Sequence, residues 1–170
     1  MTAAGRRRKR GAVRLTGLLA AASVAGALAF AAPAPIGAAT TELLVINRHT
    51  GLAISGFDPV AYFTDGDAKL GRGEYESAHA GAVWRFRNAG NRSAFIADPE
   101  IYEPRFGGYD PIGVARGVAL PGDPRLWLVA GDRLYLFATA ADRDSFAGDR
   151  QHLATTADNM WPAVQHTLAP

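Results

Sequence analysis

The chain has 170 residues, of which 48% are hydrophobic and 20% charged, with 18 Lys and Arg, 16 Asp and Glu, four His and no Cys. This size and balance fit one ordinary globular domain and exclude an intrinsically disordered chain. The lack of Cys excludes disulfides, thiolate-ligated metals and cysteine nucleophiles. The chemistry that is left would come from His, from carboxylates or from purely structural interactions.

Residues 1–39 have the pattern of an export signal. Residues 1–14 hold six of the basic residues, and 15–32 form an apolar run that ends near a small-x-small cleavage pattern. We therefore predict a signal peptide and a periplasmic or extracellular location. Two alternatives stay open: a mitochondrial transit peptide, and an uncleaved anchor, through which alone the chain would contact a membrane.

The remainder of the chain is mildly acidic. No acid precedes Glu42, so removal of the leader leaves 12 basic residues against 16 acidic ones. A net charge of −4 is unfavourable for binding a phosphate backbone, because such binding depends on Lys and Arg. We therefore expect no nucleic-acid partner.

Two stretches of the chain repeat each other. The sequence GFDPVA at 56–61 recurs as GYDPIG at 108–113, at an offset of 52 residues. Six further residues recur in the same order at an offset of 51. They are Trp84, Phe86, Asn91, Arg92, Phe95 and Asp98, which recur as Tyr135, Phe137, Asp142, Arg143, Phe146 and Asp149. This predicts two tandem, pseudo-symmetric units, the first repeat at 56–107 and the second repeat at 108–159.

Each repeat carries the same local signals. Asp58-Pro59 combines a capping side chain with a proline suited to the first helical position, so it predicts a short helix. Alternating residues at 74–80 and 82–87 around Gly81 predict a β-hairpin, and Asn88 then predicts a helix start. The second repeat has these signals at Asp110, 126–130, 133–137 and Thr139. The order predicts an α+β domain at 53–170 in which helices cover antiparallel strands.

Two segments flank the repeats. Residues 40–52 form an entry segment, in which 43–46 read as an edge strand. Residues 154–168 predict a C-terminal amphipathic helix with Pro162 near its start. Its apolar stripe consists of Met160, Trp161, Val164 and Leu168.

The motifs GFDPVAYF at 56–63, WRF at 84–86, NR at 91–92 and GGY at 107–109 stand in a fixed order. In this order the chain resembles the stand-alone, exported branch of the YHS domain family over residues 51–162. The resemblance implies a small α+β domain and a role in metal binding. Many members carry a Cys directly after the GGY, where this chain has Asp110. The resemblance therefore brings no thiolate ligand, and the cofactor stays unknown.

Asp58 and Asp110 are the first candidate site residues. Equivalent positions of a duplication can meet near an axis, where two carboxylates could bind a hard cation or share a proton. The alternative is that each caps a helix. His79 is a further candidate metal ligand, with a carboxylate from the other repeat, and its alternative is an ordinary strand residue that faces solvent.

Aromatic residues supply a candidate ligand pocket. Tyr62, Tyr109 and Trp84, with Tyr75 and Tyr102, could line an apolar pocket with polar tips, or simply fill the core. No nucleophile elbow, phosphate loop or two-His metalloprotease motif is present in the sequence.

The sequence thus predicts an exported, non-catalytic, YHS-like binding module for a metal ion or small ligand near the junction of the two repeats. A structural or protein-interaction domain of the cell envelope, with an envelope protein as partner, is the alternative. A metal-dependent enzyme is the reading that the sequence favours least.

Overall fold

A computed structural model describes residues 43–168. Over this range the chain is an α+β protein with a mixed four-stranded sheet, a separate two-stranded hairpin and six α-helices. The predicted signal peptide at 1–39 and the first residues of the entry segment lie outside the described residues. Within 43–168, none of the helices has both the length and the apolar character needed to cross a membrane.

The chain begins with the four-stranded sheet and ends with its longest helix. The first half contains β1 (Ile46–Asn47), β2 (Leu52–Ala53), α1 (Ala61–Thr64), β3 (Arg72–His79), β4 (Ala82–Phe86), α2 (Ala89–Ala97) and α3 (Pro99–Tyr102). The second half contains α4 (Pro111–Ala115), β5 (Asp123–Val129), β6 (Leu134–Phe137), α5 (Ala140–Gly148) and α6 (Arg150–Leu168). Short 3-10 turns at Ile54–Gly56 and Arg105–Gly108 precede α1 and α4.

The four-stranded sheet has the strand order β1-β2-β4-β3. The β3–β4 hairpin and the β1–β2 pair are antiparallel, but β2 runs parallel to β4, with Leu52 opposite Val83. The prediction of purely antiparallel strands was therefore wrong. The reason is that β2 belongs to the entry segment, which lies outside the repeated pattern and adds a strand to the first hairpin.

The local helix signals of both repeats are confirmed. The Asn88 side chain accepts a 2.8 Å hydrogen bond from the Asn91 N–H, and the Thr139 hydroxyl accepts one of 3.1 Å from the Asp142 N–H. Each cap satisfies a backbone donor that the first helical turn leaves unpaired. Phe95 of α2 and Phe146 of α5 are buried, as predicted.

The C-terminal helix differs from its prediction. It begins at Arg150, directly after α5, so Pro162 lies well inside it and the prediction of a proline near the start was wrong. Pro162 is exposed, where water can solvate the carbonyl that lacks a donor. Ala157 and Val164 are the buried residues of α6 and belong to the core of the second repeat.

Corresponding backbone hydrogen bonds shape the turns of the two repeats. In the first, the Asp58 N–H donates to the Lys69 carbonyl at 2.8 Å and the Gly71 N–H to the Gly56 carbonyl at 2.9 Å. In the second, the Asp110 N–H donates to the Leu120 carbonyl at 2.8 Å, and the Gly122 N–H donates to the Gly108 carbonyl at 3.0 Å. The two aspartates therefore enter their helices from the same kind of turn.

Two buried clusters form the core, and β6 contributes to both. Leu134 and Leu136 point into the cluster around Trp84 and Phe95. The alternate residues Tyr135 and Phe137 point into the cluster around Phe146. Successive side chains of a strand face opposite sides, so a strand with four buried residues must be covered on both faces.

Candidate functional site

Asp58 is fully buried and caps the first short helix. Its Oδ1 accepts hydrogen bonds from the backbone N–H groups of Val60 and Ala61 at 2.9 and 3.3 Å. Its Oδ2 accepts one from the Arg87 N–H at 2.7 Å and one from the Asn91 side-chain amide at 2.6 Å. The carboxylate therefore ties the start of α1 to the end of β4 and the start of α2.

Asp110 has the same place in the second repeat and is also fully buried. Its Oδ1 accepts from the Ile112 N–H and its Oδ2 from the Ala138 N–H, both at 2.7 Å. Burial raises the pKa of Asp110, and the nearby Asp142 charge adds to this effect, while the hydrogen bonds to Ala138, Ile112 and Gly113 oppose it.

These contacts favour the capping role of both aspartates. The hydrogen bonds of each carboxylate come from its own repeat, so no shared site between Asp58 and Asp110 is built from them. Among residues 43–168, no group of three or more His, Asp or Glu residues is arranged to hold a metal ion. The geometry thus gives the metal hypothesis no ligand set.

His79, the other candidate metal ligand, lies at the end of β3 beside an acid. Its Nε2 is 2.6 Å from Oε1 of Glu103, and its ring meets the Phe95 ring edge-on at 5.6 Å. Burial raises the pKa of Glu103, His79 opposes this rise, and Glu100 adds to it. The carboxylate beside His79 therefore comes from the same repeat, and the prediction of a carboxylate from the other repeat was wrong, because the segment after α3 packs against the end of β3.

Tyr62 and Trp84 are core residues that contact the protein itself. The Tyr62 hydroxyl donates a 2.8 Å hydrogen bond to the Pro124 carbonyl, and its ring meets Trp127 edge-on at 5.2 Å. Burial raises the pKa of Tyr62, as do the charges of nearby acids. The Trp84 Nε1–H donates to the His79 carbonyl at 3.1 Å, and no surface of Trp84 is exposed. Both side chains are buried and join separate parts of the protein, which favours the alternative that they fill the core.

Two of the aromatic residues predicted to line a pocket do line cavities among residues 43–168. Tyr102 lines one cavity, together with Glu103 and Arg105, and Tyr109 lines another. The cavity at Tyr109 has a volume of about 480 Å³ and lies between the entry segment and the second repeat. Tyr109 is 6% exposed, its ring lies 6.1 Å from the Trp161 ring, and burial raises the pKa of its phenol. The charge of Arg48 opposes this rise.

The cavity has mostly apolar walls with a few polar groups. The polar residues of the described lining are Asn47, Arg48 and Tyr109. The apolar wall consists of Leu44, Val45, Ile46, Ala119, Pro121 and Leu168. Such a combination is typical of small-molecule sites, in which apolar contacts supply affinity and a few polar groups fix the orientation.

The entry segment is held in place by a close backbone approach. The Val45 N–H donates to the Gly107 carbonyl at 2.8 Å, and the Ile54 N–H donates to the Val45 carbonyl at 3.1 Å. Gly107 has a φ of +61°, and a Cβ there would lie 1.8 Å from the Leu43 carbonyl oxygen. Only glycine therefore allows the entry segment to pass here and to form one wall of the cavity.

Sequence reasoning missed Asn47 and Arg48 as cavity residues. They follow an apolar run in the entry segment, more than 60 residues before the parts of the second repeat that line the same cavity. The edge strand predicted at 43–46 lies instead at Ile46–Asn47, because the preceding residues form a turn, and Arg48 directly follows it. Comparison with protein-family models, with curated proteins and with solved structures gives no match for this chain.

Proposed function

We propose that this chain is an exported, non-catalytic binding module related to YHS domains, and that it binds a small organic ligand in the cavity between the entry segment and the second repeat. The cavity carries the proposal. Its volume of about 480 Å³ falls within the range of roughly 300–1,000 Å³ found for ligand sites. The export pattern of residues 1–39 supports the location.

The cavity lies beside the second repeat and not between the two repeats. One wall comes from the entry segment and the opposite wall from Tyr109, Ala119 and Pro121 of the second repeat, and none of the described lining residues belongs to the first repeat at 56–107. The recurring order of 3-10 turn, helix, hairpin and helix supports a tandem, pseudo-symmetric duplication as the origin of the two repeats.

A neutral apolar dye tests the proposal. N-phenyl-1-naphthylamine is titrated into the full chain, and its fluorescence is expected to rise to saturation at one site. Ala119→Phe places a large side chain at the cavity wall and should abolish this signal. Ala68 is the equivalent residue in the first repeat, is also partly buried and lies outside the cavity lining. Ala68→Phe is therefore the matched control and should keep the signal.

Two results would contradict the proposal. The first is the absence of saturable binding by the unsubstituted chain, which would favour a structural or protein-interaction role. The second is equal binding by the Ala119→Phe variant, which would place the dye elsewhere, for example on the apolar leader that all variants share. Circular dichroism of each variant checks that the fold is kept.

A further inference from the structure

We infer that the hairpin of β5 and β6 pairs with the same hairpin of a second copy of this chain, through the free edge of β5. Such pairing joins two two-stranded sheets into one antiparallel sheet of four strands. The surface is distinct from the cavity, so the inference does not depend on the proposed function. It follows from the direction of the backbone groups along β5.

One edge of β5 faces away from its partner strand. In the described part of the chain, β5 pairs with β6 and with no other strand. Ala130 and Arg133 exchange two backbone hydrogen bonds beside the turn, of 2.9 and 3.3 Å. Hydrogen-bonded and non-hydrogen-bonded pairs alternate in an antiparallel ladder. Leu128 therefore also bonds to β6, whereas the N–H and C=O groups of Trp127 and Val129 point away from it.

The outward backbone groups of Trp127 and Val129 are unpaired. Among residues 43–168, neither residue makes a backbone hydrogen bond to any segment other than β6. Unpaired backbone groups need water or a partner, because leaving them buried is costly. β6 is fully buried, but residues 126–129 of β5 are each only partly buried. The edge of β5 is therefore open to a further strand.

The side chains along this edge do not oppose such pairing. Residues 126–129 have the sequence LWLV, without a charge. The equivalent residues of β3, at 75–78, have the sequence YESA, and Glu74 precedes them. Charged side chains on an edge strand discourage pairing with another chain. The first repeat therefore has a protected edge strand, and the second repeat has an apolar one.

The edge of β5 is complementary to itself. An antiparallel copy centred on Leu128 sets Trp127 opposite the partner's Val129, where the two residues present their outward N–H and C=O groups to each other. Two-fold symmetry repeats this contact, and each time it pairs an aromatic side chain with a β-branched one. The irregular pairing of β5 lies between Asp123 and Trp127, so residues 127–129 keep the regular geometry that an added strand needs.

Charges at the two ends of the apolar stretch favour the same partner. Arg125 lies at one end and Asp132 lies in the turn at the other. An antiparallel copy therefore brings Arg125 beside the partner's Asp132. The Arg125 side chain is 71% exposed and its only ion pair, with Asp123, is long at 3.8 Å, so it can turn towards a second copy. Asp132 is exposed and forms no ion pair with the described residues.

Sedimentation velocity of the full chain at rising concentration tests the inference. We expect a reversible equilibrium of monomer and dimer without larger species, because a two-fold contact occupies the edge in both copies. Val129→Pro removes the outward N–H but keeps the bonds of Leu128 and Ala130 to β6, so it should raise the dimer dissociation constant at least about tenfold. Ala78→Pro makes the same change at the equivalent, exposed position of β3 and is the matched control, which should leave the constant unchanged.

Charge exchange tests the antiparallel arrangement. Arg125→Glu or Asp132→Arg alone places like charges beside each other in both halves of the contact and should raise the dissociation constant about tenfold. The double variant restores opposite charges and should return the constant to within about threefold of the original. Hydrogen exchange adds a direct readout, since the amides of Trp127 and Val129 should become protected as the concentration rises, whereas the amide of Ala78 should not.

Three results would overturn the inference. The first is a chain that stays monomeric at all concentrations. The second is a dimer that the folded Val129→Pro variant does not weaken, because the contact would then lie on another surface. The third is a double charge variant that dimerises no better than the single ones. Circular dichroism checks the fold of each variant, and the charge variants decide if Val129→Pro unfolds, because both charged positions are exposed.

Discussion

The two repeats use one structural solution with different partners. In each, a fully buried aspartate joins the start of a short helix to the end of a hairpin. In the first repeat Asn91 donates its side-chain amide to Asp58. In the second, the equivalent residue is Asp142, whose carboxylate oxygen is 2.6 Å from the Thr139 hydroxyl and cannot donate to Asp110.

The two caps therefore share one geometry but differ in the charge beside the buried carboxylate, which is a neutral amide in the first repeat and a second carboxylate in the second. Burial raises the pKa of Asp110, and the Asp142 charge adds to the rise. The folded state then holds the Asp110 proton to higher pH than the unfolded chain does. The contribution of Asp110 to stability is therefore complete below its unfolded pKa and is lost as pH rises through the folded pKa.

The largest expected effect comes from removing the first of the two carboxylates. Asp58→Ala leaves four N–H donors without their acceptor and should lower the free energy of unfolding by about 4 kcal/mol, since each buried unpaired donor costs about 1–3 kcal/mol. Asp110→Ala removes the acceptor of the Ile112, Ala138 and Gly113 N–H groups and should cost less, about 3 kcal/mol. Urea unfolding at pH 7 measures both. Asp144→Ala, at an exposed position, is the control, and equal losses in the two caps would contradict the comparison.

The second-largest loss of stability is expected from the turn before the first hairpin. A Cβ at Gly71 would lie 2.4 Å from the Arg85 carbonyl carbon, which cannot move without displacing β4. Gly71→Ala should therefore lower the melting temperature strongly, with a loss of about 3 kcal/mol. Gly73 lies within β3, and the nearest atom to a Cβ at this position is Nη2 of Arg85 at 3.8 Å. Gly73→Ala should therefore change the free energy of unfolding by no more than about 0.5 kcal/mol. A loss of equal size in both variants would mean that strand flexibility, not the close approach, is responsible.

The third prediction gives the first repeat the residue type that the second repeat has at the equivalent position. Asn91→Asp replaces the amide that donates to Asp58 with a second carboxyl group and should cost about 2 kcal/mol at pH 7. In acid, one of the two carboxyl groups holds a proton and can donate again, so the loss should shrink towards pH 4. Urea unfolding from pH 4 to 7 checks this. A loss that does not change with pH would contradict the electrostatic reason.

The reverse exchange has the smallest expected effect. Asp142→Asn removes a charge that raises the pKa of Asp110, so it should stabilise the second repeat by about 1 kcal/mol or less at pH 7. The gain should shrink as the pH falls through the folded pKa of Asp110, because a protonated Asp110 carries no charge for Asp142 to repel. Unfolding measured against the unsubstituted chain at each pH isolates this difference. Destabilisation at neutral pH would indicate that the charge of Asp142 at the start of α5 matters more than its repulsion of Asp110.

The sequence allowed good prediction of features that depend on neighbours in the chain. The Asp58 and Asp110 caps, the two hairpins and the Asn88 and Thr139 helix starts all follow from contacts between residues a few positions apart. Their geometry is set by backbone donors that a short polar side chain must satisfy, whatever the rest of the fold does.

Features that depend on distant residues were not predictable in the same way. The parallel pairing of β2 with β4 joins residues about thirty positions apart, and no local pattern specifies a partner strand. The cavity needs the entry segment to pass close to Gly107, the last residue of the first repeat, so the place of Arg48 in the cavity lining could not be predicted from its neighbours. A duplication predicts what each copy contains, but not what a non-repeated segment builds beside one of them.

The shared strand β6 has a consequence for how the protein loses its structure. Because Leu134 and Leu136 complete one core while Tyr135 and Phe137 complete the other, release of this strand exposes apolar surface in both at once. The repeats should therefore not open separately, although each has its own hairpin and helices. Amide hydrogen exchange is expected to give the residues of β6, Trp84 and Phe146 the same opening free energy, which is that of global unfolding. Two copies of one unit have thus become a single cooperative element.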